Sequence, residues 1–185
     1  MAKGERQTRR LLARKPTPKD RDAYHAHFKQ PEIESWLRPP PLPRFEDRVL
    51  DELVEGDCVH WSDHGFGPWV LIDQESGEFA GRGGLAWTSV EGTARVELPW
   101  SIEPHLHGQG LATEAAIAAC KWAGELRFEE VVALILPANT ASQRVAEKAG
   151  FERDGEVTHA GLPHLLFRLR PDHAVPGAVA SSAGD

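Results

Sequence analysis

Residues 107–112 read His-Gly-Gln-Gly-Leu-Ala, and an alanine-rich helical repeat starts directly behind them. Glycines at 108 and 110, in a loop that becomes a helix, restrict the fold more than any other stretch of the chain. They leave several backbone N–H groups, unshielded by side chains, at the positive end of a helix, which is a seat for a phosphate or pyrophosphate. The helix behind needs a layer to pack on, because Leu111, Ala115, Ala118, Trp122 and Leu126 fall on one face.

The strands for that layer lie on both sides of the loop. Thr8 to Lys15 reads as an opening strand. Thr17-Pro18 then starts a helix running to about Phe28, with Thr as the N-cap and Pro in the first helical position. Pro39-Pro40-Pro41-Leu42-Pro43 excludes helix and central strand and reads as an extended connector. Phe45, Val49 and Leu53, with Leu50 and Val54 beside them, predict a second helix that stops at Gly56. The texture then becomes extended. Trp69 to Ile72, Phe79 to Thr88 (broken by Gly81, Gly83 and Gly84) and Ala94 to Ile102 read as an antiparallel meander.

Behind the loop the period is helical to Leu126, and Val131 to Leu136 is a continuous apolar run, as in a strand buried on both faces. Thr140 to Ala149 predicts a further helix, with Thr140 and Gln143 as a capping box and Gly150 as its stop. Glu152 to Val157 and Leu165 to Arg170 close the pattern as a strand pair. This order predicts an α/β fold with a mixed, mostly antiparallel sheet and helices on both faces. Residues 1–170 are expected to form a single domain, and 171–185, poor in large apolar residues, a flexible tail.

Charge and cysteine content narrow the partners. A net charge of −7 disfavours wholesale binding to nucleic acid or an anionic membrane. Cys58 and Cys120 sit in no CxxC or zinc-type spacing, so a metal or redox centre is not expected and a reducing, cytoplasmic setting is. His105-x-His107 and the pair His60 and His64 are too few ligands for zinc.

The segment His107-Gly108-Gln109-Gly110-Leu111-Ala112-Thr113-Glu114-Ala115 resembles the acyl-CoA signature of the GNAT N-acetyltransferase superfamily, Arg/Gln-x-x-Gly-x-Gly/Ala. Three further segments are similar to that family, in order and at its spacing: Leu98-Pro99-Trp100-Ser101-Ile102-Glu103-Pro104, Asn139-Thr140-Ala141-Ser142 and Glu147-Lys148-Ala149-Gly150-Phe151. The Trp-x-Ile-x-Pro approach, Ser142 and the opening Thr8 to Arg14 resemble the RimJ/RimL-like branch, and the likeness spans about Thr8 to Arg170. Two positions depart from the pattern. Residue 107 is His rather than Arg or Gln, and residue 146 is Ala where many members carry a Tyr that protonates the leaving thiolate.

The resemblance implies a GNAT-like fold, acetyl-CoA as co-substrate, a primary amine as acceptor (a protein N-terminus or a small molecule), and direct acetyl transfer. It places the pyrophosphate on the amides of His107, Gly108, Gln109, Gly110, Leu111 and Ala112, with Thr113 beside them. Backbone amides near Trp100, Ser101 and Ile102 would polarise the thioester carbonyl, provided the strand splays from its neighbour there. Asn139 would bond the pantetheine arm. Ser142 would donate a hydrogen bond to sulfur, or only occupy the first helical turn. Glu97 would take the amine proton, with Glu103 and His105 as rivals, or lie as a solvated strand residue. His159, His164, Trp36 and Arg38 are candidates for the acceptor side. Homodimers are common in similar proteins.

Two other classes fit parts of the pattern: a non-catalytic acyl-CoA sensor or interaction module, which the missing Tyr suits, and a dinucleotide-binding oxidoreductase. The second is poorly served, because an antiparallel meander, not a parallel β-α-β unit, precedes the loop. No Gly-Lys-Ser/Thr follows it as a nucleotide triphosphatase requires.

Overall fold

The computed structural model describes residues 4–171, so all but the first residue of the expected tail lies outside the described residues. The strands divide into two five-stranded sheets. The first has the order β1 (Arg6–Gln7), β2 (Leu11–Arg14), β3 (Pro68–Asp73), β4 (Phe79–Gly84) and β7 (Trp100–Ile102). The second has the order β5 (Ala86–Val90), β6 (Thr93–Glu97), β8 (Val131–Ile135), β10 (Leu162–Leu169) and β9 (Glu152–His159). Every pairing is antiparallel except β6 with β8. The expected fold class is therefore found, but the anticipated single sheet is two.

The division falls within two of the expected strands. Phe79 to Thr88 is cut at Leu85 into β4 and β5, and Ala94 to Ile102 is cut at Leu98-Pro99 into β6 and β7. Gly81, in β4, has a φ of +148°, and a Cβ there would stand 2.1 Å from the carbonyl oxygen of Ser101. Only glycine lets β7 lie this close.

The helices cover both faces of the first sheet. Strand alternation sends Trp69 and Leu71 to one side and Val70 to the other. Trp69 and Leu71 join a large cluster under α4 (Leu111–Glu125) that includes Ile102, Leu111, Ala115, Ala119 and Trp122. Trp122 stacks between Trp61 and Trp69, at ring-centre distances of 5.3 and 4.7 Å. Val70 packs instead with Tyr24, Phe28, Ile33, Leu50 and Val54, from α1 (Arg21–Phe28), α2 (Pro31–Leu37) and α3 (Asp47–His64). The fifth helix, α5 (Thr140–Lys148), lies against α4 and β8.

Several local expectations are corrected. The opening segment is a short hairpin rather than one strand, turned by Thr8, whose amide donates to the Leu11 carbonyl at 2.8 Å. Helix α1 is preceded by a 3₁₀ turn, Pro18–Asp20, where Asp20 accepts from the Thr17 amide at 2.7 Å. Gly56 does not stop α3, which runs on to His64 and ends at Gly65 in the left-handed region. The buried face formed by Leu50, Val54, Asp57 and Trp61 carries the helix past the glycine, whose lone propensity cost is about 1 kcal/mol. The proline run closes a turn, with the Leu42 amide on the Pro39 carbonyl at 3.0 Å, instead of extending. The cap of α5 is Asn139, whose side chain accepts from the Ser142 amide at 3.0 Å, not a Thr140–Gln143 box; Gln143 donates to the Pro137 carbonyl. Helix α2, which sequence reasoning missed, is seven residues long, too short for its apolar Ile33, Trp36 and Leu37 to display a helical period.

Candidate functional site

The site forms where the chain changes sheets. The Leu98 amide donates to the Val132 carbonyl at 2.9 Å, the last bond that this strand makes to β8. Pro99 has no N–H to continue the ladder. From Trp100 the strand pairs with β4 instead, in the register Gly83–Trp100, Arg82–Ser101 and Gly81–Ile102. The Glu103 amide donates to Ala80 at 2.9 Å, so by the alternation of an antiparallel ladder Ser101 also turns its N–H to β4. The amides of Trp100 and Ile102 therefore point the other way, into the gap between β7 and β8. Among the three expected carbonyl-polarising residues, these two present their amides to the gap.

At the mouth of that gap stands the N-terminus of α4. Gly108 and Gly110 have φ values of +76° and +81°, and Gly110 is the N-cap. Among the described residues, none accepts a hydrogen bond from the amides of Gly108, Gln109, Gly110, Leu111, Ala112 or Thr113. The His107 amide is already committed, to the Pro104 carbonyl at 3.1 Å. The loop is held from behind. Arg10 donates to the Gln109 carbonyl at 2.8 Å and to the Glu114 carboxylate at 2.8 Å, while Thr8 donates to the same carboxylate at 2.6 Å. Burial disfavours the Glu114 charge, but these bonds outweigh it and hold the carboxyl below its ordinary pKa. Sequence reasoning missed Arg10; its only signal was a basic residue in the opening segment.

A cleft of about 570 Å³ runs from this mouth along the gap. It gathers Glu97, Trp100, Ser101, Ile102, His107, Gly108, Gly110, Leu111, Ala112, Thr113, Asn139 and Ser142, and opposite them Ala133 to Leu136. Of the residues expected to bind the cofactor, Gln109 alone stays outside, its side chain reaching back to the His105 carbonyl at 3.3 Å. At the far end the walls are Glu32, Trp36 and Leu37 from α2, with His159 and His164 from the last hairpin. Arg38 turns away and lies over the Phe45 ring at 4.8 Å. Trp36 and Leu37 are each 43% exposed and give this end of the cleft an apolar rim.

Burial pushes the Glu97 carboxyl above its ordinary pKa, while the Thr88 hydroxyl, Arg82 and His164 favour its charge. Neither Glu103 nor His105 lines the cleft. Asn139, which lines the cleft, spends its carbonyl oxygen on the α5 cap, and its amide N–H₂ has no partner among the described residues. The Ser142 hydroxyl, also in the cleft, has no partner among the described residues. Ala146, in the position of the family's Tyr, is fully buried and presents no acid.

One constellation had no sequence signal. His27, on α1, is completely buried, with Nδ1 2.8 Å from Glu103 Oε1 and Nε2 2.6 Å from Ser101 Oγ. Gln30 donates to the other oxygen of Glu103 at 2.8 Å. Burial pushes the His27 pKa down, against the opposing pull of Glu103. Seventy-odd residues of intervening chain separate the partners, so no spacing rule could join them.

The acetyltransferase (GNAT) domain family matches residues 10–152. An uncharacterized Bacillus subtilis protein, YkkB, is 31% identical over 137 residues, which span 71% of this chain and 80% of YkkB. An acetyltransferase of Agrobacterium tumefaciens superposes with a TM-score of 0.78 at 25% identity, over 92% of this chain and 96% of the other. Mycobacterium smegmatis RimJ, solved in complex with CoA-disulfide, superposes with a TM-score of 0.67 at 21% identity, over 86% and 81%. At that identity the likeness to RimJ is one of fold.

Proposed function

The chain belongs to the GNAT acetyltransferase domain family, and on that footing we propose that it is an N-acetyltransferase of the RimJ/RimL-like branch, moving acetyl from acetyl-CoA directly to a primary amine. The observation that carries this reading is the row of unclaimed amides from Gly108 to Thr113 at the mouth of a gap between two diverging strands. No Cβ shields Gly108, and the space one would fill is open, so a pyrophosphate has room to reach main-chain N–H groups.

The donor supplies an activated thioester. Amides 108–113 hold its phosphates, and the amide nitrogen of Asn139 bonds its extended arm. The N–H groups of Trp100 and Ile102 bond the carbonyl oxygen as charge develops on it. Ser142 stands on the α5 side of the cleft and offers its hydroxyl to the leaving sulfur, stabilising rather than protonating it. An acceptor arrives as an ammonium ion between Glu32 and Glu97, with Trp36 and Leu37 packing its carbon skeleton. Glu97, kept basic enough by burial, removes the first proton. The free thiols of Cys58 and Cys120 suit a reducing, cytoplasmic setting.

The test is release of CoA thiol from acetyl-CoA with spermidine, kanamycin, and peptides starting with Ala or Ser. Turnover with one of these, lost in Gly110→Trp and slowed in Ser142→Ala without loss of CoA affinity, is the expected result. Tight acetyl-CoA binding with no thiol release from any amine would support a sensor instead, the reading that buried Ala146 favours. No binding of CoA would overturn both.

A further inference from the structure

We propose that Ser101 and His27 form a proton relay out of the cleft, in which Ser101 contacts the acceptor nitrogen and His27 takes up, through it, the second proton that the nitrogen loses. The inference rests on the N-acetyltransferase reading and adds to it a path separate from Glu97. An ammonium acceptor sheds two protons on becoming an amide: one before attack, and one after the C–N bond has formed. A single carboxylate cannot hold both.

The relay has a direction fixed by its end. Ionised Glu103 is acceptor-only, so the neutral His27 ring carries its hydrogen on Nδ1 and donates it to Oε1 at 2.8 Å. Nε2 is then left as an acceptor, and the 2.6 Å contact is Ser101 O–H donating to it. With its own hydrogen turned inward, the Ser101 oxygen offers lone pairs outward, on a residue that lines the cleft. Each bond in the chain, from the cleft to Glu103, therefore points its hydrogen the same way. Gln30, donating to the second oxygen of Glu103, secures the carboxylate for this task.

The surroundings keep the ring neutral until it is used. His27 is enclosed by α1 and the first sheet, and Arg82 on β4 and His107 ahead of α4 both disfavour a second positive charge. Glu103 favours it once the proton has arrived. When the amine nitrogen has bonded to the carbonyl carbon, its proton passes to Ser101 Oγ as the hydroxyl hydrogen passes to Nε2. The C–S electron pair leaves with sulfur as the C–S bond breaks. Return of the His27 proton to the thiolate, through the cleft or solvent, leaves the acetylated amine and CoA thiol.

The same contacts would serve a purely structural role, bracing α1 against β7, so the test needs readouts that bracing does not move. In free wild-type protein, ¹⁵N NMR of the His27 ring should show a protonated Nδ1 and an unprotonated, accepting Nε2. The opposite tautomer, or an imidazolium at neutral pH, would overturn the relay even if no variant folds. With the fastest amine of the panel above, His27→Asn keeps a donor to Glu103 but accepts no proton from Ser101. It should lower kcat about 100-fold, leave the KM for acetyl-CoA unchanged, and reduce the limiting acid-side slope of log kcat against pH from 2 to 1. Ser101→Ala should do the same. Wild-type kcat and slope in a folded His27→Asn protein would refute the relay while leaving the acetyltransferase reading intact. Wild-type protein inert toward every amine would refute that reading instead.

Discussion

The imidazole of His107 donates from Nε2 to the carbonyl of Ile102 at 2.7 Å, tying the glycine loop ahead of α4 to the strand that leaves the second sheet. The carbonyl can only accept, so the tautomer is fixed, and the proton sits on Nε2. A residue that departs from the family's Arg or Gln thus bridges the loop and the strand to which we assign the acetyl donor.

Removing this bridge should loosen both segments without emptying the site. His107→Ala is expected to weaken acetyl-CoA binding by about 1 kcal/mol, or roughly fivefold in Kd, measured by calorimetry. An unchanged Kd would mean that the loop keeps its shape without the bridge.

Gly110 carries the helix start at a φ of +81°. Gly110→Ala should cost about 1–2 kcal/mol in strain while its methyl meets only ordinary contact with Arg10. Gly110→Trp should also remove the thermal stabilisation that CoA gives the wild type. The comparison separates strain, seen in both variants, from blockage, seen in one.

Glu97 makes stability depend on pH in a definite direction. Its folded pKa lies above the unfolded value, so the native state binds more protons across the interval between them. Stability from this group is full below the unfolded pKa and falls as pH rises through the folded one. Glu97→Gln should flatten that part of the urea-unfolding profile and slow acetyl transfer. An identical pH profile would show that the carboxyl titrates as if in water.

Asp57 and Arg82 form a bidentate pair, with both contacts at 2.6 Å, and Tyr24 donates to the same carboxylate at 2.9 Å. Removing one partner strands a buried charge. Asp57→Ala should destabilise the fold by about 3–5 kcal/mol, and the double variant with Arg82→Met should recover part of that. Denaturant midpoints for the two proteins decide it.

The segments to which we assign the donor were legible as a loop-to-helix start and a strand end because their structural determinants are local. Gly108 and Gly110 at a helix start and Asn139 at a strand end are short-range marks, and Pro99 announced the lost ladder bond. The side that we assign to the acceptor was less legible. His27, Ser101 and Glu103 meet because α1 packs across a strand far along the chain, and pairwise spacing carries no trace of that. The Gly56 stop failed for a related reason: Asp57 and Trp61 hold α3 through contacts with β3 and β4, and those contacts outweigh one residue's propensity. The two-sheet split was hinted at by the glycines of β4, yet their meaning depends on Ser101, the residue they must let approach.

The wedge between β7 and β8 exists because pairing was abandoned there, so main-chain groups along both edges keep their capacity for a neighbour. A thin, straight guest laid lengthwise can complete the interrupted sheet much as a missing strand would; a compact or branched one cannot. On the proposed function, selection of the acyl carrier begins in this backbone geometry, leaving side chains at the far end free to diverge toward different nitrogen compounds.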